Sequence, residues 1–70
     1  MATVQMAKVH ANGSTFTIIK KDGLFFLYEA WRECGYDEDG RWITKNHKKL
    51  VEGRFEYFKD AILTLAQKVN

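Results

Sequence analysis

Lys45-Asn46-His47-Lys48-Lys49 is the densest cationic cluster of the chain, with Arg41 before it and Arg54 after it. Clustered cations are what hold phosphate, so this strip is a candidate phosphate contact; as an isolated five-residue loop it would simply be solvated. Glu29 and Glu33 are four positions apart. On a helix they would form the carboxylate pair that general acid/base work requires. On a strand they share a face but lie about 13 Å apart and would not cooperate. Cys34 precedes Gly35 in an acidic stretch, the opposite of the setting that activates a thiolate. Asp37-Glu38-Asp39-Gly40 has part of a calcium loop, but the Asp-x-Asp-x-Asp-Gly start is incomplete and the closing position would be Asn46 rather than Glu. It reads as a turn. No serine or cysteine has an evident histidine partner and there is no glycine-rich phosphate loop, so catalysis is not expected. The soft ligands Cys34, His10 and His47 are scattered, whereas structural zinc needs about four ligands at short spacings. Neither a metal nor a cofactor is expected.

These residues need elements to position them. Asn12-Gly13 and Asp22-Gly23 suit the positive φ angles of two-residue hairpin turns. Ser14 to Lys21 between them is rich in β-branched and aromatic residues and reads as a strand. A two-residue turn at Asn12-Gly13 pairs Val9 with Phe16 and Ala7 with Ile18 on one face. It leaves His10/Thr15, Lys8/Thr17 and Met6/Ile19 on the other. A two-residue turn at Asp22-Gly23 sets Ile18 opposite Leu27, Ile19 opposite Phe26 and Thr17 opposite Tyr28. A bulged turn there would shift this second register by one residue and exchange the faces beyond it. Leu24, Leu27, Tyr28 and Trp31 fit a helix with Gly35 as its cap, but a Leu-Phe-Phe-Leu-Tyr run directly after a hairpin signal favours a strand. Tyr36 to Gly40 is a turn, Arg41 to Thr44 opens the next strand, and the polar Asn46 to Lys49 either continues that strand or forms a loop. Phe55, Phe58, Ile62, Leu65 and Val69 recur at helical spacing, which predicts an amphipathic helix over about Gly53 to Val69. Ala61 and Ala66 widen its apolar stripe.

The expected fold is α+β: an antiparallel β-meander of three to four strands with one C-terminal amphipathic helix packed across one face, in a single domain over residues 1–70. Four strands followed by one helix is a layout similar to that of several small modules, single-strand DNA-binding folds and integrase arm-binding domains among them. The likeness is one of architecture.

A chain of 70 residues buries only about 60% of its unfolded surface, so its stability is marginal without a supplement. The single cysteine forbids an internal disulfide and suits a reducing compartment. Residues 1–11 lack the basic start and apolar run of a signal peptide, and the longest apolar run, Leu24 to Tyr28, is too short to cross a bilayer. A cytoplasmic location is therefore expected. The net charge of +2 conceals segregation: residues 1–21 carry +3, residues 22–40 carry −5, residues 41–54 carry +4, and the remainder balance. Anion binding, where it occurs, must be local.

The deduced outer face collects Lys8, His10, Thr17, Phe26, Tyr28 and Arg32, mixing cations with exposed rings. That combination holds single-stranded nucleic acid, with rings stacking on bases and cations near phosphates. The expected function is a non-enzymatic module that binds single-stranded DNA or RNA through Lys8, His10, Phe26, Tyr28, Arg41, Trp42, Lys45, Lys48 and Lys49. The alternative is a protein–protein interaction module, or a protein inhibitor or regulator, acting through the same face, alone or as a homodimer that buries a Met6/Ile19/Phe26 edge, with Trp31 and Trp42 as core or interface anchors.

Overall fold

Two dipeptides set the first half of the structure. In the computed structural model, which describes residues 3–69, Asn12 and Gly13 have φ of 54° and 78°, and Asp22 and Gly23 have 55° and 78°. Positive φ at both central residues makes type I′ turns, whose twist matches that of the strands they join. They connect β1 (Val4–Ala11) to β2 (Ser14–Lys21) and β2 to β3 (Leu24–Tyr36). A wider turn leads to β4 (Trp42–Phe55), which is followed by α1 (Phe58–Val69). The four strands form one antiparallel sheet in the order β1-β2-β3-β4. This is the expected α+β meander with four strands, and the ambiguous segment after Asp22-Gly23 is strand. Met1 and Ala2, at the head of the segment read for a signal peptide, lie outside the described residues.

The β2–β3 register is the expected one, with Ile18 opposite Leu27, Ile19 opposite Phe26 and Thr17 opposite Tyr28. The β1–β2 register holds from Ala11/Ser14 to Ala7/Ile18 and then changes. A bulge between Gln5 and Ala7 sets Gln5, not Met6, opposite Ile19. Bulges of this kind twist an edge strand away from further pairing, and here one breaks the alternation that would have placed Met6 beside Ile19.

Ile18 and Leu27 are both 0% exposed, and with Phe16 and Phe25 they form the sheet's contribution to the core. Helix α1 lies over them with Ala61 and Leu65 buried, while Phe58, Ile62 and Val69 pack at the margins. The Phe58 ring meets Phe25 with centroids 5.7 Å apart. Asp60 in the first turn and Lys68 in the last complement the helix dipole.

The helix is shorter than its apolar spacing suggests. Gly53 to Phe55 continue β4, and Phe55 is the register partner of Phe25 rather than the first residue of the helical stripe. Two register shifts opposite Phe25 to Tyr28, together with Arg54 at φ 64°, account for this. A left-handed residue cannot continue into a helix, whereas it suits a bulge that bends the strand. The bent end of β4 returns the chain over the core, where α1 begins.

Strands β3 and β4 outrun the others. Ser14, the first residue of β2, pairs with Trp31. Beyond that point Arg32 to Tyr36 pair only with Trp42 to Asn46, so a two-stranded arm projects from the four-stranded body. The radius of gyration is accordingly 14.7 Å, against about 11 Å for a compact chain of this length. At the arm's end, Asp37 Oδ1 accepts backbone N–H bonds from Asp39 (3.0 Å) and Arg41 (2.8 Å), and Gly40 takes the positive φ of 79° that closes the turn.

Candidate functional site

Strand alternation sorts the polar residues of the sheet into two unlike faces. On the helix-free face, one row across the strands reads His10, Thr15, Ala30, Lys48, and the next reads Lys8, Thr17, Tyr28, Leu50. Gln5, Ile19 and Phe26 lie beyond the second row; Arg32 and Asn46 lie beyond the first. No aspartate or glutamate occupies any of these positions.

The acids of β3 are on the other face. Glu29 accepts a hydrogen bond from the Ser14 hydroxyl at 2.7 Å and has the Lys49 ammonium at 3.8 Å. Glu33 lies 2.9 Å from Nε2 of His47, whose ring stacks on Trp31 with centroids 5.2 Å apart. The two carboxylates therefore have separate partners and form no joint acid/base site. Trp31 is half-buried in this cluster.

The basic strip is consequently divided. Residues 45–49 lie within β4, so Lys48 and Asn46 join the helix-free face while Lys45, His47 and Lys49 alternate to the helix side. Among the residues expected at the site, Lys8, His10, Phe26, Tyr28 and Lys48 come together. Lys45 and Lys49 do not, for the simple reason that adjacent strand residues point opposite ways. Trp42 is on the helix-free face but at the end of the arm, with Arg41 just before it. Asn46, expected only as part of the basic strip, and Thr15, expected only as the partner of His10, join the site through the register, which places Asn46 opposite Arg32 and Thr15 beside Ala30. The expected Met6/Ile19 pairing is replaced by Gln5 opposite Ile19, because the β1 bulge falls at Met6.

The helix-free face is concave at its centre. Small residues, Thr15, Thr17 and Ala30, floor an open depression rimmed by Lys8, Tyr28 and Lys48. A second depression toward the arm shares Thr15 and Ala30 and is bordered by Arg32 and Asn46. The Lys48 ammonium sits 4.8 Å from the centre of the Tyr28 ring, a cation–π distance. His10 Nδ1 and the Thr15 hydroxyl are hydrogen-bonded at 2.8 Å. Hydroxyls, cations and a ring thus line one depression, and an amide and a further cation line the one that adjoins it.

Cys34 is a free, exposed thiol on the arm. Among the described residues no cluster of His, Cys, Asp and Glu could hold a metal ion, and no helix is long and apolar enough to cross a membrane. No family model, curated protein or solved structure matches the chain.

Proposed function

We propose that this protein is a non-catalytic module that binds single-stranded nucleic acid across the helix-free face of its sheet. The observation that carries the reading is the acid-free trough with Lys8 and Lys48 beside a half-exposed Tyr28 and Arg32 in the adjoining depression. Cations there meet phosphates with no competing carboxylate, and as Lys48 turns from the Tyr28 ring to a phosphate the ring offers a base its π-face. Bases in a duplex are already stacked, so a flat ring in a shallow trough favours a single strand. The unpaired, exposed Cys34 fits a reducing compartment, and a cytoplasmic site of action belongs to this proposal.

A second reading, association with another copy of this chain, is favoured by one observation. Val4 and Met6 on edge strand β1 are largely exposed apolar residues. The bulge at Met6 and the nearby Lys8 are, however, features that discourage edge pairing.

The test is titration of labelled single- and double-stranded oligonucleotides at several salt concentrations. Three to four phosphate contacts give a log–log salt slope of about −2 to −3 for a single strand, so affinity falls roughly 20- to 50-fold between about 50 and 200 mM salt. Absence of binding to either form at the lower salt contradicts the proposal.

A further inference from the structure

Tyr36 and Trp42, register partners at the end of the arm, are 72% and 59% exposed, with their rings edge to face at 5.1 Å. Two large rings left in water are unfavourable, and a two-stranded ribbon with nothing packed on it is marginal. The arm lies beyond β2 and adds nothing to the Ile18/Leu27 core.

We propose that the arm is a second stacking point for the single-stranded ligand, which follows the helix-free face from Tyr28 and Lys48 past Arg32 to end with a base on Trp42 and Tyr36. The inference rests on the function proposed above and extends it to the length of the site. The first argument is continuity: Tyr28, Arg32, Tyr36 and, through their partners, Asn46 and Trp42 all fall on one face, with a cation and hydrogen-bonding groups between the rings and no acid. The second is length. Tyr36 is eight positions beyond Tyr28 in β3, roughly 27 Å at about 3.4 Å per residue. That spans about eight nucleotides at stacked spacing and fewer when the bases are splayed. The third is electrostatic. Past the rings the loop carries Asp37, Glu38 and Asp39 against the single cation Arg41, and this acidic excess repels phosphate and ends the path there. The rings thus receive a terminal base rather than a passing backbone.

The test uses the full chain. Trp31→Phe leaves Trp42 as its only indole and keeps a ring against His47 on the opposite face. Oligothymidylates of about four, eight and twelve nucleotides are titrated at about 50 mM salt. The two longer ones are expected to change Trp42 emission and to bind about tenfold tighter than the shortest. In the native background, labelled-oligonucleotide anisotropy is expected to show that Trp42→Ala removes this length advantage and leaves binding of the shortest unchanged, while Trp42→Phe retains it. The inference is overturned, with the body site intact, by longest-oligonucleotide binding that leaves Trp42 emission unchanged. The same conclusion follows if a Trp42→Ala variant with native circular dichroism keeps the length advantage. Failure of every oligonucleotide to bind removes both proposals. A dimer that depends on Trp42 and is indifferent to oligonucleotide assigns the rings to a second copy instead.

Discussion

Replacing Gly53 by alanine places a methyl carbon 2.7 Å from Cδ1 and 3.2 Å from Cε1 of Phe26. The favourable separation between carbons is about 3.5–4.0 Å, so the ring must move by nearly 1 Å or the end of β4 must shift away from β3. Two effects oppose each other. Gly→Ala stiffens the unfolded chain and stabilises by about 0.4–1 kcal/mol where the backbone tolerates it, and Gly53, unlike Gly13, Gly23 and Gly40, does not have positive φ. Overpacking costs about 1–3 kcal/mol. The atoms struck belong to a rigid ring and include Cδ1 near its attachment, so half-exposed Phe26 must shift as a unit; the steric effect wins and the net expectation is a loss of about 1–2 kcal/mol. With a urea m-value near 1 kcal/mol/M for a small chain, the midpoint falls by about 1–2 M. Shrinking the ring in a Phe26→Leu background relieves the clash, and the double-mutant cycle should recover most of the Gly53→Ala cost. A stabilised Gly53→Ala variant, or one with no coupling to Phe26, contradicts the close packing of Phe26 over Gly53.

Two further outcomes follow from the same geometry. Leu27→Ala removes a side chain that is 0% exposed and should cost about 2–5 kcal/mol, a large part of the stability of so small a chain; Leu63→Ala, at a helix position 61% exposed, should stay within about 0.5 kcal/mol in the same urea titrations. Tyr28→Ala should weaken single-strand binding by about 1–3 kcal/mol with the salt slope unchanged, since stacking moves no counterions; a loss that appears mainly as a flatter slope assigns Tyr28 a different role.

Much of the fold was legible because its signals are local. Asn12-Gly13 and Asp22-Gly23 specify both hairpin turns without tertiary help, and the β2–β3 register follows directly from the second. The bulges were not legible. Nothing in Gln5-Met6-Ala7 marks an extra residue, and the bulge there depends on how an edge strand meets β2. The start of the helix was misread because Phe55 fits two roles. Its spacing to Phe58 continues a helical stripe, but pairing with Phe25 and the left-handed Arg54 keep it in the strand. The site was legible in part for a related reason. Lys45 to Lys49 look like one basic strip in sequence, and only their placement in a strand shows that neighbours in the chain occupy opposite faces. The charge segregation along the sequence likewise concealed a second segregation, between faces, that becomes visible once Glu29 and Glu33 are placed with Lys49 and His47.

Adjacent Lys48 and Lys49 provide the most direct test of the central claim. They carry the same charge one residue apart, yet Lys48 stands on the helix-free face over Tyr28 and Lys49 lies on the other face near Glu29. The decisive measurement is the salt dependence of single-strand binding by Lys48→Ala and Lys49→Ala, each with circular dichroism matching the parent. Loss of one phosphate contact in Lys48→Ala should flatten the log–log slope by about 0.7 and weaken binding at low salt, whereas Lys49→Ala should retain the parent slope. Equal losses in the two variants would mean that binding follows the overall charge of the chain and that the helix-free face is not the site.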